Sequence, residues 1–226
     1  MGESKNMRSY LTIAIMFFAA LAFGCANPAA NKPKATVANA APESGSPTPV
    51  GTETPHIISP ENSKIEFVAA KVTRSHNGSF KRFAGELDFV PKYWPASRVT
   101  IEIETDSVVT DEDQLTAHLK TADFFDVAKY PKATFVSTKI EGNHGGDGPA
   151  GYGTDPLRVT GNFELHGIKK SITFPATITV APDSVSVNAE FAINRKDFNL
   201  LYPGKADDLI RDGVVIRLTL KVPRKP

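Results

Sequence analysis

Apolar and polar residues alternate with a period of two along much of the chain after residue 60. Between residues 99 and 103, for example, Val99, Ile101 and Ile103 are separated by Thr100 and Glu102. Such alternation is typical of half-buried antiparallel strands whose apolar side chains face inward. The clearest strands are predicted at residues 99–103, 159–165, 172–180, 185–193 and 214–222.

Three further stretches alternate less cleanly, and strands are predicted there over residues 64–73, 80–90 and 133–141. Asn77-Gly78, between the first two, is the pair of residues favoured in a two-residue hairpin turn. The pattern therefore predicts an all-β domain with eight antiparallel strands. A sheet of this size can close into a barrel and leave no exposed edge.

One short helix is predicted between the third and fourth strands. Residues 110–113, Thr-Asp-Glu-Asp, are typical of a capped helix start, because the helix dipole favours acidic residues in the first turn. Leu115 and Leu119 would form its apolar face. The acidic residues could instead form a metal or acid–base cluster, but capping accounts for them without further chemistry.

The first 25 residues have the pattern of an export signal. Lys5 and Arg8 precede an apolar run over residues 11–23, which is shorter than the about 20 residues that span a membrane. Leu21-Ala-Phe-Gly-Cys25 resembles the bacterial lipobox, in which the cysteine is lipidated. We therefore expect residues 1–24 to be a signal peptide and Cys25 to carry an acyl anchor.

Two alternatives stay open at this end of the chain. Ala22 stands where the lipobox usually has leucine, so an ordinary secretory peptide with an incidental cysteine is the other interpretation. Met7 is an alternative start to Met1. Cys25 is the only cysteine, so no intrachain disulfide can form, and an acyl anchor would explain a lone thiol in an exported protein.

Residues 25–59 are predicted to be a lipidated, disordered tether. No aromatic residue lies between Ala26 and Asn62, and proline, alanine, serine and threonine are abundant there. Residues 60–226 would form a single domain. Because the formal net charge is +1, there is no basic excess of the kind expected for a nucleic-acid partner.

No arrangement typical of a catalytic or metal centre is found in the sequence. The five histidines show neither HxH nor HExxH spacing, and there is no GxSxG motif. A metal site built from distant residues stays open. We predict no enzyme, no metal and no cofactor other than a bound lipid, with an enzyme acting on a hydrophobic substrate as the weakest alternative.

The chain is rich in large apolar residues, including 14 phenylalanines that lie mostly on the predicted inward faces. The interior of an eight-stranded barrel is either just filled by side chains or open to one small ligand. Burial of about ten methylene groups at ~0.8 kcal/mol each would contribute roughly 8 kcal/mol. A long-chain ligand is therefore favoured over a small one.

Several blocks of residues occur in an order that resembles the YceI-like family of lipid-binding proteins. The blocks are Ser63-Lys-Ile-Glu-Phe-Val68, His76-Asn-Gly-Ser-Phe80 with Phe83-Ala-Gly85, Leu119-Lys-Thr-Ala-Asp-Phe-Phe-Asp126, Tyr130-Pro-Lys-Ala-Thr-Phe135, Val159-Thr-Gly-Asn-Phe-Glu-Leu-His-Gly-Ile168 and Phe191-Ala-Ile-Asn-Arg-Lys-Asp-Phe198. The resemblance extends from about residue 60 to the C-terminus.

The resemblance implies an exported, lipocalin-like, antiparallel eight-stranded barrel that holds a polyisoprenoid, an isoprenoid quinone or a related lipid. It also implies which residues line the interior: Phe67, Phe83, Leu87, Phe89, Ile101, Ile103, Phe124, Phe125, Phe135, Phe163, Phe174 and Phe191. Arg195, Asp197 and Phe198 would contact the ligand head group, although Arg195 and Asp197 are better explained by a local turn or ion pair. His76 and His166 would stabilise turns.

These observations predict a lipoprotein of the bacterial envelope that faces the periplasm, with the inner or outer membrane undetermined. It would bind an isoprenoid or related lipid noncovalently for storage, sequestration or transfer. Its partners would be that lipid and, through the acyl anchor, a membrane; a homodimer is left open. The alternative is a packed, ligand-free barrel that acts as an envelope interaction or stress-response module.

Overall fold

The computed structural model describes residues 26–42, 55–90, 93–142 and 153–223. The predicted signal peptide and Cys25 lie outside these residues. The strands within them are β1 (Thr36–Asn39), β2 (His56–Ile58), β3 (Lys64–Ala70), β4 (Ser75–Phe80), β5 (Phe83–Asp88), β6 (Arg98–Glu104), β7 (Val108–Thr110), β8 (Lys132–Gly142), β9 (Gly153–Leu165), β10 (Ile168–Val180), β11 (Ser184–Asn194), β12 (Gly204–Lys205), β13 (Asp208–Leu209) and β14 (Gly213–Pro223). The helix α1 is Asp113–Leu119, and 3-10 turns lie at Trp94–Ala96, Thr105–Ser107 and Arg195–Phe198.

Twelve of these strands form one antiparallel sheet in the order β2-β5-β6-β8-β9-β10-β11-β14-β3-β4-β7, with β1 paired to β10. β12 and β13 form a separate hairpin. The sheet is strongly curled, because β4 and β5 lie near its two ends and yet are joined only by Lys81 and Arg82. The predicted all-β antiparallel class is confirmed. No helix within the described residues is long and apolar enough to span a membrane.

The prediction of eight strands is wrong, because the sheet is divided more finely than the alternation indicates. The chain between residues 75 and 88 is interrupted at Lys81 and Arg82, and the turn at Thr105–Ser107 separates β6 from β7. Lys81 N donates to Ser107 O at 3.1 Å, so these two interruptions form one bend. β1 and β2 are short additional strands that the alternation does not show.

The predicted hairpin turn at Asn77-Gly78 is also wrong. Both residues lie within β4, and the chain reverses between β3 and β4 over residues 71–74. Gly78 pairs with Phe67 across the two strands, and a Cβ at residue 78 would lie 2.1 Å from Phe67 Cζ. Glycine is needed here because the phenylalanine ring occupies the space, not because the chain turns.

The predicted helix is confirmed as α1, but the acidic residues before it have other partners. Glu112 precedes the first helical residue and makes no side-chain capping hydrogen bond. Asp111 instead accepts hydrogen bonds from His76 Nδ1 at 2.9 Å and from Asn77 N at 3.1 Å. Among the described residues, no group of three or more His, Cys, Asp or Glu side chains could hold a metal ion.

Residues 26–42, here called the N-terminal strap, lie against the sheet, which differs from the disorder predicted for this part of the chain. β10 pairs with β11 only over Thr177–Val180, so the rest of β10 has room for another partner. β1 pairs there with residues 170–173. On the other side of the strap, Ala35 N donates to Ala192 O of β11 at 2.9 Å.

The strap covers outward-facing residues that would otherwise be exposed. Ala29 forms a buried cluster with Val68, Ala192 and Val215. The Asn162 side chain accepts from Ala41 N at 2.9 Å and donates to Ala41 O at 3.0 Å. Composition did not indicate this order, because backbone pairing with a strand edge requires little apolar surface from the strap itself.

The inward-facing residues of the curled sheet form the main core. Phe174 stacks on Phe191 with ring centroids 4.1 Å apart, and Phe135 lies 5.7 Å from Phe174. A second apolar cluster lies at one end of the sheet and contains Phe67, Val108, Leu119 and Phe124. Phe80 and Phe125 pack against both clusters and join them.

Candidate functional site

Two apolar cavities adjoin one another inside the curled sheet, with volumes of about 80 and 100 Å³. Apart from Glu66 in the first and Arg195 in the second, every lining residue is apolar. The two cavities share Phe67, Phe80, Ile103, Phe163, Ile193 and Ile216. The interior can therefore hold an apolar group and offers it very few hydrogen-bond partners.

A larger depression of about 300 Å³, here called the mouth groove, lies outside the sheet at the end where α1 packs. It shares Phe67, Ala69, Leu119, Phe124 and Ile210 with the second inner cavity. These side chains form the partition between the groove and the interior. The groove also has polar lining residues, which are Lys71, His76, Glu112, Gln114, His118, Lys205 and Asp208.

Residues 111–130, here called the mouth segment, join β7 to β8 and cover the second inner cavity. The segment is fixed at both ends. At its start, the Asp111 carboxylate accepts hydrogen bonds from His76 and Asn77 of β4. At its end, Thr105 Oγ1 donates to Tyr130 O at 2.7 Å.

Between these two points the mouth segment is held mainly by ring contacts. Phe124 lies 5.2 Å from the ring of Tyr202, and Phe125 lies 5.8 Å from the ring of Phe80. His118 contacts both Phe124 and Tyr202, with centroids 4.9 and 5.0 Å away. The described backbone hydrogen bonds of residues 116–130 are internal, as when Phe125 N donates to Leu119 O. The segment is therefore built as a unit that rests on the sheet.

The electrostatics at the start of the mouth segment favour the ionised form of Asp111. Burial alone would raise the pKa of this carboxyl. The hydrogen bonds from His76 and from the backbone N–H of Asn77, with the nearby charges of His76 and Arg74, together hold the pKa of Asp111 below its ordinary value. His76 is itself buried and lies within β4, so the turn-stabilising role expected for it stays a prediction.

Arg195 is buried at the edge of the second cavity and is held by the loop that follows it. Its guanidinium donates to the carbonyl oxygens of Leu200, Ile210 and Arg211, and to the Asp212 carboxylate at 3.5 Å. Burial lowers the pKa of Arg195, and the charge of Asp212 opposes this shift. Most of its N–H groups are therefore engaged, and the roles expected for Arg195 from the sequence stay predictions.

The structure places eleven of the twelve predicted lining residues against one of the inner cavities. Ten of them lie against the two adjoining cavities or against a separate cavity of about 40 Å³ at the other end of the sheet, which includes Leu87 and Phe89. Phe125 is only half-buried but also faces the second cavity. Phe83 is buried in the main core but lines none of these cavities.

The other two predicted head-group residues lie on the same 3-10 turn as Arg195. Phe198 is fully buried and packs edge-on against Phe163, with centroids 5.1 Å apart. Asp197 is half-buried. Their contact with a ligand head group stays a prediction.

Several residues at the site were not selected from the sequence. Ile193 and Ile216 lie on strands that alternate clearly, so the pattern contains a signal for them. Phe80 ends β4, Leu119 ends α1 and Tyr202 lies in the loop before β12. Strand alternation carries no information on the direction of side chains at such positions. Only their contacts across the mouth identify them.

The fold and the site define a class of small all-β proteins, in which a curled antiparallel sheet surrounds an apolar interior that approaches the surface at one end. Residues 57–222 match the YceI-like domain family, and the chain belongs to this family. The N-terminal strap lies outside the matched residues.

The chain is 35% identical to protein YceI of Salmonella arizonae and of Salmonella newport over 129 residues. This similarity covers 54% of this chain and 62% of each relative, so the chain spans less than two thirds of their length.

Two solved structures share the fold. BcnA of Burkholderia cenocepacia superposes with a TM-score of 0.62 at 24% identity, over 73% of this chain and 98% of that protein. A polyisoprenoid binding domain from Saccharophagus degradans, implicated in plant cell wall breakdown, superposes with a TM-score of 0.60 at 16% identity, over 76% of this chain and 100% of that domain. At these identities the likeness shows the fold alone.

Proposed function

We propose that this chain is a lipoprotein of the bacterial envelope whose curled sheet binds a long-chain isoprenoid or related lipid noncovalently. Binding would serve storage, sequestration or local transfer, and Cys25 would carry the acyl anchor. The observation that carries the proposal is the pair of adjoining apolar cavities, which share lining residues with the mouth groove. The family and the ligand named for the Saccharophagus degradans domain support this class of ligand.

The volumes indicate how such a ligand would be admitted. The inner cavities, at about 80 and 100 Å³, are smaller than the roughly 300–1,000 Å³ of ordinary ligand pockets. A long apolar chain therefore requires rings at the partition to rotate and the mouth segment to move outward. Between its two fixed ends the segment can move as a unit, because the described backbone hydrogen bonds of residues 116–130 are internal. The polar end of the ligand would stay in the mouth groove, which has charged and amide side chains.

The same small volumes favour a second candidate function. A packed barrel without a ligand could act as an envelope interaction or stress-response module. The two functions differ in what the mouth segment does. A binding protein must open this segment, whereas a packed module keeps it closed and uses its outer surface.

The test is mass spectrometry of an organic extract from protein purified from its own host, followed by addition of an isoprenoid quinone and a polyprenyl alcohol to delipidated protein. We expect a stoichiometric lipid in the extract and rebinding of at least one added lipid. Ala69→Trp should block uptake, because Ala69 lines both the groove and the inner cavity. Ala84→Trp, at an exposed position on β5, is the matched control. If host-derived protein carries no lipid and binds neither addition, the packed alternative stands.

A further inference from the structure

Three exposed apolar residues flank the mouth groove. Val72 is 45% exposed, Leu201 56% and Leu209 49%. Each is adjacent in sequence to a residue that lines the groove. Val72 N donates to Leu209 O at 3.1 Å, which places these two residues side by side. We call Val72, Leu201 and Leu209 the mouth rim; exposed apolar residues gathered in this way mark interaction surfaces.

The N-terminal strap fixes the start of the described chain at the same end of the sheet. Ala29 packs against Val68 and Val215, and a Cβ at Gly213, the first residue of β14, would lie 2.9 Å from Ala29 Cβ. Gly213 follows the rim residue Leu209 by only four positions. Ala29 lies four positions after Cys25, and an extended chain spans at most about 3.6 Å per residue. The predicted anchor would therefore join the described chain at the end of the sheet that carries the mouth.

The charges near the rim are mostly paired with one another. Lys71 forms an ion pair with Asp208 at 2.9 Å, and Arg74 forms one with Glu112 at 3.3 Å. These two pairs offset the charges of Lys71 and Arg74, so neither residue offers an unbalanced positive charge to an anionic lipid head group. The rim therefore fits an apolar boundary better than a charged one.

We propose that the mouth rim is a membrane-docking surface, which inserts Val72, Leu201 and Leu209 into the headgroup region of a bilayer and turns the mouth groove toward it. Three side chains alone bind a bilayer weakly, so docking rests on the N-terminal anchor of the proposed function. It does not depend on which lipid the interior binds. A lipid could then move between the bilayer and the interior without crossing water.

The test measures the depth of each end of the sheet in a membrane. Single cysteines replace Val72 or Leu209 at the rim (V72C, L209C), and an environment-sensitive fluorophore is attached to each. Matched controls are I57C and Y93C, because Ile57 and Tyr93 are 58% and 63% exposed and lie at the other end of the sheet. The full chain is reconstituted into vesicles of phosphatidylethanolamine and phosphatidylglycerol that contain brominated phosphatidylcholine, which quenches nearby fluorophores.

We expect the rim labels to lose about half of their emission, because interfacial side chains lie about 5–10 Å into the headgroup–acyl boundary. The labels at residues 57 and 93 should keep theirs. Equal quenching at both ends, or none at the rim, overturns the proposal, as does rim quenching that disappears at high salt. The parent chain, whose only cysteine is Cys25, tests the predicted acyl anchor separately. If Cys25 reacts with the fluorophore, its thiol is not acylated, and both the anchor and this docking mode are overturned. Lipid binding by the interior is judged by the extraction experiment.

Discussion

The ring of Phe67 lies over the backbone of Gly78, its partner in the β3–β4 pair, so closely that a Cβ at residue 78 would force the ring to shift. Phe67 lines both adjoining inner cavities and the mouth groove. The missing side chain on β4 is therefore what allows one ring to stand between the interior and the groove.

Gly78→Ala should destabilise the fold. A Cβ would lie 2.1 Å from Phe67 Cζ, and overpacking of this kind costs typically about 1–3 kcal/mol. Alanine is ordinarily more stable than glycine within a strand. A loss of stability on Gly78→Ala would therefore report the steric clash. Urea unfolding measures the free energy, with Asn77→Ala at the exposed neighbouring position as control. An unchanged or higher stability for Gly78→Ala would show that the ring has free space to move into.

The N-terminal strap should be protected and should stabilise the sheet. Val37 is half-buried and packs against the main core, while Ala38 beside it is exposed. Val37→Asp should lower the free energy of unfolding by about 1–3 kcal/mol, because a charged group replaces an apolar contact. Ala38→Asp should have little effect.

Hydrogen exchange provides an independent measurement for the strap. The amides of residues 36–39 that bond to β10 should exchange much more slowly than those of a free peptide. Exchange at free-peptide rates would support the tether that composition alone predicts.

The contribution of Asp111 to stability should be lost in acid. A carboxyl with a lowered pKa in the folded state stabilises the fold fully above its unfolded pKa of about 3.9 and loses that contribution as pH falls through the lowered value. Asp111→Asn should therefore destabilise the protein at pH 7, and the difference from the parent chain should shrink in strong acid. Urea unfolding between pH 7 and strong acid measures this difference in stability. Asp207→Asn, at an exposed turn position, is the control. A difference that stays constant down to the acid limit would mean that the Asp111 charge does not hold the segment.

Arg195 should stabilise the loop from Leu200 to Asp212 more than any surface ion pair can. Arg195→Met leaves three backbone carbonyls without their donor, and an unsatisfied buried polar group costs about 1–3 kcal/mol. We expect a loss of about 3 kcal/mol in thermal or urea unfolding. Lys196→Met is the matched control, since Lys196 also pairs with Asp212 but is exposed and should contribute at most about 1 kcal/mol. Similar losses for both variants would contradict the role assigned to the carbonyl contacts.

Removal of a ring from the mouth segment should shorten the retention of bound lipid. Phe124→Ala and Phe125→Ala each remove a ring that covers the second cavity. Phe125→Ala is the cleaner test because Phe125 is only half-buried, whereas truncation of the buried Phe124 should also lower stability by about 3–5 kcal/mol. The measurement is the rate at which lipid leaves the protein.

Phe89→Ala, in the separate cavity at the far end, controls for a general loss of stability. Retention that falls equally in Phe89→Ala would remove the mouth segment from the explanation. Retention that is unchanged in both mouth variants would make the two rings a simple plug.

The class of the fold and the inward faces of its strands were accessible from the sequence. Ile101, Phe163 and Phe174 lie inside the sheet, as their alternation predicts. The helix near residue 113 was also accessible. These features repeat over two or about four residues, so the side-chain pattern of one short segment contains them.

The tertiary structure decided what depends on partners far away in the chain. It divided long strands at the bend near Lys81, and it made Gly78 a site of close approach instead of a turn. It also ordered the N-terminal strap, where Ala41 is held by Asn162 from 121 positions away. Alternation and composition describe the neighbours of a residue along the chain, whereas contacts such as these exist only after the sheet has curled and brought its two ends together.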